Sequence, residues 1–218
     1  MPTYDCFIFD FDGTLADSRL NIVNSFNRAL NLYHAKPISP ELIHPLIGKL
    51  NIEETFKKFY PYFSSEKIKK LAKSFRIYQK KHISKEIFLF DGVFETLKTL
   101  QKKRKKLVIL TTKHIDQIIF ILNKFKIKSF FDIIIGEGLL EFKKPQRQCF
   151  DYITKNLKKS IPKTNFVVVG DSIVDCQFAH NSEIDMIGVS WGIDHPSILK
   201  KLGAKYIINN ISELLKFS

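Results

Sequence analysis

The chain has 218 residues, of which 44% are hydrophobic, and a formal net charge of +13 at pH 7. That length and apolar content fit one sizeable globular core with room for an insertion, and exclude a disordered chain. No apolar run reaches the roughly 18 residues of a membrane span, and the first residues lack the basic-then-apolar pattern of a signal peptide. Cys6, Cys149 and Cys176 are far apart and form no CxxC, so neither a disulfide framework nor a thiolate metal site is expected. A cytoplasmic protein without a membrane partner is the expectation.

The lysines fall in short groups such as Lys57-Lys58, Lys69-Lys70, Lys80-Lys81 and Lys200-Lys201. Groups of this kind read as solvated helix faces. No nucleic-acid-binding signature accompanies them, so no nucleic-acid partner is expected, whereas a small anionic substrate suits the charge.

In chain order, Cys6–Phe9 is the first short run that is apolar on both faces, the pattern of a buried parallel strand. The stretch 18–87 then holds no strand pattern. Asn21–Leu32, Pro40–Leu46, Ile52–Phe59 and Glu66–Lys80 read as helices, punctuated by Pro37, Pro45, Gly48 and Pro61. From Val93 onward, strand and helix alternate. Helical patterns at Val93–Lys102, Ile115–Phe125, Cys149–Leu157 and Ser172–Asn181 separate strands at Leu107–Leu110, Ile133–Ile135, Phe166–Val169, Met186–Val189 and Tyr206–Ile208. The prediction is an α/β fold, a doubly wound parallel sheet with an inserted helical block. Residues 1–17 and 88–218 form the expected α/β core and 18–87 the expected helical cap, hinged near Ala16–Ser18 and Phe88–Gly92.

Ligands of open α/β sheets bind beyond the carboxyl ends of the strands. Asp10, Asp12, Gly13 and Thr14 follow the first strand. Thr111, Thr112 and Lys113 follow the second, Lys143, Lys144 and Pro145 a loop after the third, and Gly170, Asp171, Ser172 and Asp175 the fourth. In a parallel sheet these sets converge on one rim. Carboxylates from two strand ends can hold a hard divalent cation, most simply Mg²⁺. One of them can attack phosphorus and a second can move the proton. A lysine balances charge, and a hydroxyl with loop amides can bind phosphoryl oxygens.

These segments, "DFDGTLADS", "LVILTTK", "KKP" and "GDSIVD", resemble the four motifs of the haloacid dehalogenase superfamily in its phosphatase branch, and "DGTLADS" is similar to its phosphoglycolate-phosphatase-like members. The resemblance implies a Rossmann-like core with a helical cap and Mg²⁺ as cofactor. It implies Asp10 as nucleophile and metal ligand, and Asp12 as general acid/base with its main-chain carbonyl on the metal. It further implies Thr111 as phosphate-binding hydroxyl, Lys144 as charge-balancing lysine with Lys143 its rival, and Asp171 and Asp175 as acids that hold the metal or its waters. Thr112 and Lys113 stand where substrate contacts are expected, and Gly48 in "LIGKLN" is either a substrate-facing cap loop or a helix-ending glycine. Three departures from the family pattern bear on loop shape and substrate contacts: Thr112 replaces an asparagine, Arg147 the second proline of KPxP, and Ser182-Glu183 an Ala-Gly pair. Among the remaining residues, the six histidines make no metal-spaced pair, and Trp191 reads as loop packing. The expected reaction is Mg²⁺-dependent hydrolysis of a small phosphate monoester through an aspartyl-phosphate, with phosphoglycolate the first substrate. Pyrophosphate, nucleotides or sugar phosphates, a β-phosphoglucomutase-like mutase, and a non-catalytic binding protein on the same fold are the alternatives. A monomer or homodimer is expected.

Overall fold

In the computed structural model, which describes residues 2–218, β1 (Cys6–Phe9) is buried along its whole length. All four residues of CFIF are apolar, so the strand can be covered on both faces. Phe7 and Phe9 face one hydrophobic layer and Cys6 and Ile8 the other. β1 is joined by β4 (Lys106–His114), β5 (Ile133–Glu137), β6 (Phe166–Gly170), β7 (Asp185–Val189) and β8 (Tyr206–Ile208) in one six-stranded sheet of order β5-β4-β1-β6-β7-β8. Every pairing in it is parallel. The helices α5 (Val93–Lys102) and α6 (Ile115–Lys124), with the 3₁₀ stretch Ile211–Phe217, cover the Phe7/Phe9 face. The helices α7 (Gln148–Asn156), α8 (Ile173–Ser182) and α9 (Pro196–Lys201) cover the other. This is the expected doubly wound α/β fold.

Register places the functional rim. Cys6 pairs with Lys106 and Phe166, and Phe9 with Ile109 and Val169. The ends of β1 and β6 are therefore level, and β4 passes them at Ile109 and runs on, so the residues beyond Phe9, Ile109 and Val169 are neighbours. The order of strands reverses at β1, the kind of crevice where such sheets bind ligands.

Between β1 and β4 the chain leaves the sheet. Ala16–Asp17 (β2) pairs antiparallel with Phe88–Leu89 (β3), Ala16 with Leu89 and Asp17 with Phe88. The two crossings into the helical stretch thus form a two-stranded ribbon that the sequence does not announce, because two-residue strands carry no periodicity. Within the stretch lie α1 (Arg19–Leu32), α2 (Pro40–Ile43), α3 (Ile52–Phe59) and α4 (Ser65–Glu86). They bury an apolar cluster of their own, centred on Phe26, whose ring lies 4.7 Å from those of both Phe56 and Phe75. α4 runs six residues past the expected end at Lys80; its last turns are mostly polar, and only Ile83 is a buried apolar residue there. All three cysteines are free and buried. Among the described residues no helix is long and apolar enough to cross a membrane.

Candidate active site

The turn after β1 is built by its main chain. Asp10 N–H still donates to Val169 O (2.9 Å), extending the β1–β6 pairing by one residue. The Phe11 carbonyl then accepts from the amides of Thr14, Leu15 and Ala16 at 3.3, 3.0 and 3.1 Å. Gly13 closes the turn at φ +85°, a conformation L side chains rarely adopt. A Cβ there would lie 2.3 Å from Asp171 Oδ2, so glycine is required on both counts. The turn holds Asp10 and Asp12 at the rim, 2% and 5% exposed.

Asp10 meets the products of the β6–α8 turn. Asp10, Asp171 and Asp175 each offer a carboxylate oxygen within 4.8 Å of the others, all buried. Lys144 is the cation among them, with Nζ 2.9 Å from Asp10 Oδ1 and 2.7 Å from Asp175 Oδ1. Asp175 Oδ2 is fully engaged: it accepts from Ser172 Oγ (2.7 Å), Ser172 N (3.0 Å) and Asp171 N (3.2 Å), completing the N-terminal capping box of α8. Asp171 is held by the Thr14 hydroxyl (2.7 Å) and the Ile193 amide (2.8 Å). Asp10 differs. Lys144 Nζ, 2.9 Å from Oδ1, is its one polar partner, and its buried Oδ2 has no hydrogen-bond donor.

That arrangement is electrostatically unbalanced. Burial pushes the Asp10 carboxyl above its ordinary range, with Asp175 adding to the rise against the pull of Lys144. Burial, reinforced by Asp10 and Asp175, raises Asp171 likewise. Burial works against the Lys144 ammonium, yet the two carboxylates hold it charged, above its ordinary value. Three carboxylates, one lysine and an unpartnered buried oxygen fit a hard divalent cation with oxygen ligands. Asp10 and Asp171 have the freest oxygens for it.

Asp12 stands outside this cluster. Its Oδ1 accepts from the Ser18 hydroxyl (2.5 Å), and its Oδ2 lies 3.1 Å from Lys113 Nζ. Lys113 is buried on the last turn of β4, because β4 continues as a strand through Thr111, Thr112 and Lys113 to His114 rather than ending at Leu110. Thr111, 5% exposed, accepts the Lys113 amide on its hydroxyl (3.2 Å). Thr111 and Lys144 line one cavity at the rim, Asp12 and Lys113 another, and Thr112 reaches both.

The helical stretch closes over these residues. Gly48, at φ +76°, stands so near Asp10 that a Cβ on it would be 3.7 Å from Asp10 Oδ2. Three polar contacts join that stretch to the sheet rim: Lys49 with Asp194 (2.7 Å), Asn51 with Glu137 (2.6 Å) and Glu54 with Lys143 (2.6 Å). Lys143 is thereby separated from Lys144; it is exposed and turned to α3. Trp191 packs at 5.8 Å from Phe90 beside the ribbon and donates its indole N–H to Thr14 O (3.3 Å).

Asp10, Asp12, Thr111, Thr112, Lys113, Lys144, Asp171, Asp175 and Gly48 thus share one rim. Thr14, expected at the rim, contributes by holding Asp171, and Ser18 and Asp194 contribute without a sequence signal that assigns them a role. Thr14 and Ser18 are hydroxyls in a turn, where such residues are common for local reasons. Asp194 lies in an irregular loop after β7; there it accepts the Ile173 amide (2.8 Å) as well as Lys49.

A family profile described as haloacid dehalogenase-like hydrolase matches residues 7–189. A pyrophosphatase PpaX of Listeria innocua is 28% identical over 209 residues, covering 95% of this chain and 93% of its own. Among solved structures, a predicted phosphatase from Clostridium acetobutylicum superposes with a TM-score of 0.82 at 28% identity, covering 98% of this chain and 97% of its own. A predicted phosphoglycolate phosphatase from Haemophilus somnus superposes with a TM-score of 0.87 over 99% and 98% of the two chains; its 24% identity speaks to the fold alone.

Proposed function

Because the chain belongs to the haloacid dehalogenase-like hydrolase family, we propose that it hydrolyses a small phosphate monoester through an aspartyl-phosphate on Asp10, with Mg²⁺ as cofactor. The observation that carries this reading is the buried Asp10 carboxylate, whose Oδ2 has no hydrogen-bond donor and whose Oδ1 meets only the Lys144 ammonium. An unsolvated carboxylate of this kind is free to form a bond to phosphorus.

Asp10 attacks phosphorus in line, and the bond to the leaving alcohol oxygen breaks as Asp12 gives that oxygen a proton. Asp12 then takes a proton from water, which attacks phosphorus, displaces the Asp10 carboxylate and releases inorganic phosphate. The Ser18 hydroxyl and the Lys113 ammonium hold the Asp12 carboxyl in position at the rim. Thr111 binds phosphoryl oxygens, and Lys144 offsets the charge that Asp10 and the phosphoryl group bring together. Asp10 and Asp171, with Asp175 and the main-chain carbonyl of Asp12 in support, would hold Mg²⁺, which would supply positive charge against the crowded carboxylates and phosphoryl oxygens. Residues 18–87 act as a cap hinged at the β2–β3 ribbon, presenting Gly48 over Asp10 and excluding water in the first step.

Phosphoglycolate is the first substrate to test, followed by pyrophosphate, on the name carried by the relatives, and by nucleotides and sugar phosphates. Turnover of this panel is measured with and without Mg²⁺ on wild type and Asp10→Asn. Metal-dependent release of phosphate that falls about a thousandfold or more in Asp10→Asn is expected. No turnover of any ester, or turnover that survives in Asp10→Asn, contradicts the proposal.

A further inference from the structure

A small cavity of about 50 Å³ lies between the helical stretch and the sheet rim, beside Asp12. At roughly 10–15 Å³ per water it takes only a handful of heavy atoms. Its walls are largely apolar, with Ile22, Phe26 and Phe75 among them. Three side-chain amides interrupt them: Asn51, already engaged by Glu137 and the Glu54 main chain, and a glutamine pair, Gln79 of α4, 1% exposed, and Gln117 of α6, 8% exposed. All four side-chain nitrogen and oxygen atoms of this pair are buried and lack a hydrogen-bond partner.

Unmade hydrogen bonds in a buried apolar setting cost stability, and leucine would fill the same space without that cost. Gln79 comes from the helical stretch and Gln117 from the sheet side, so a ligand that satisfies both is gripped only when the two are closed together. The cavity's charges decide the rest. The only charged side chains that line it are Asp12 and Lys113, already paired at 3.1 Å. An anion placed there would be stripped of water without a free cation to meet it.

We propose that Gln79 and Gln117 are specificity-determining residues that select phosphate esters of a small neutral alcohol, one with an apolar body and a hydroxyl- or amide-like edge that both donates and accepts. This rests on the reading of Asp12 as the group that protonates the leaving oxygen, which places the departing alcohol in this cavity. It disfavours a leaving group that carries a carboxylate or phosphate, and so ranks phosphoglycolate and pyrophosphate below neutral esters.

The probes are glycerol 1-phosphate, propyl phosphate, 2-phosphoglycolate and pyrophosphate. Binding is measured by calorimetry on the Asp10→Asn protein with Mg²⁺, and kcat and KM are measured on the otherwise unaltered enzyme, each with and without Gln79→Leu or Gln117→Leu. Glycerol 1-phosphate is expected to bind about tenfold or more tighter than the other three. Each leucine variant is expected to raise its KM and dissociation constant about tenfold while leaving propyl phosphate within about twofold. Thermal midpoints of the leucine variants are expected to stay level or rise, since orphaned amides are removed. Tighter binding of 2-phosphoglycolate or pyrophosphate than of glycerol 1-phosphate overturns the proposal. So does an equal loss across all probes, or a fall in thermal midpoint in both variants, which marks a structural role for the amides. Absence of turnover in wild type counts against the phosphatase reading, and the calorimetric ranking still decides this one.

Discussion

Asp171 is hemmed in by glycines. A Cβ on Gly13 would lie 2.3 Å from its Oδ2, and one on Gly192 would lie 2.0 Å from its own Cβ. Gly13→Ala adds a left-handed backbone penalty of about 1–2 kcal/mol to that clash. Urea denaturation is therefore expected to show a loss of at least that size, with activity lost as Asp171 is pushed from place. Lys144→Met removes the cation that faces Asp10 and Asp175. Breaking a buried pair from one side costs about 3–5 kcal/mol; a lower urea midpoint is expected, and the loss should be partly relieved by Mg²⁺. A variant as stable as wild type would show that the carboxylates do not depend on this lysine. The strand-end acids, Thr111 and Lys144 could be named from sequence because reactive residue types directly follow apolar strands or, for Lys144, the loop after one. Ser18, Asp194, Gln79 and Gln117 could not. Their meaning lies in what they face, and a hydroxyl in a turn or an amide on a helix has the same local pattern whatever it faces.

The helical stretch makes an apolar cluster of its own, while Ile83 and Ile87 at its far end join the core of the sheet, and three polar bridges add to the contact between them. Phe26 sits at the centre of that cluster, against Phe56 and Phe75. Phe26→Ala is expected to cost about 3–5 kcal/mol, read as early loss of protection of α1 and α4 in hydrogen exchange with the sheet still protected. Loss spread evenly over both parts would mean that they fold as one unit. The bridges between them differ in burial. Glu54–Lys143 is exposed, its side chains 41% and 52% accessible, and is worth at most about 1 kcal/mol. Lys49–Asp194 is more enclosed and places its acid next to the Asp171 backbone, where Asp194 N donates to Asp171 O at 3.1 Å. Lys49→Ala should raise KM several-fold, whereas Glu54→Ala should leave KM within about twofold; equal effects would make the bridges interchangeable. Five of the six sheet strands begin and end within a residue or two of where the sequence puts them, because buried parallel strands are short and apolar throughout. β4 runs on through a polar end, α4 through polar turns, and β2 and β3 pair across 70 residues; none of these leaves a local apolar pattern.

Across the whole molecule, a net charge of +13 accompanies a buried acidic site. In the metal-free protein, burial raises the folded-state carboxyls of Asp10 and Asp171 above their unfolded values. The folded state then binds more protons than the unfolded one, so this contribution is present in acid and is lost as pH rises above the ordinary carboxylate range. Mg²⁺ reverses the trend by binding the ionised form. Thermal midpoints are expected to rise with Mg²⁺, more at pH 7.5 than at pH 5, and the gain should vanish in Asp171→Asn. A gain independent of pH and of Asp171 would put the cation elsewhere.

The central claim is that Asp10 itself becomes phosphorylated. Asp12→Asn enzyme, which lacks the group that activates water, can be mixed with Mg²⁺ and an aryl phosphate, whose alcohol is a phenol that departs without a proton from Asp12, then acid-quenched and reduced with borohydride, which converts an aspartyl-phosphate to homoserine. Peptide mass spectrometry is expected to find homoserine at position 10 and at no other aspartate. An unmodified Asp10 in a sample that has released its alcohol would contradict the account.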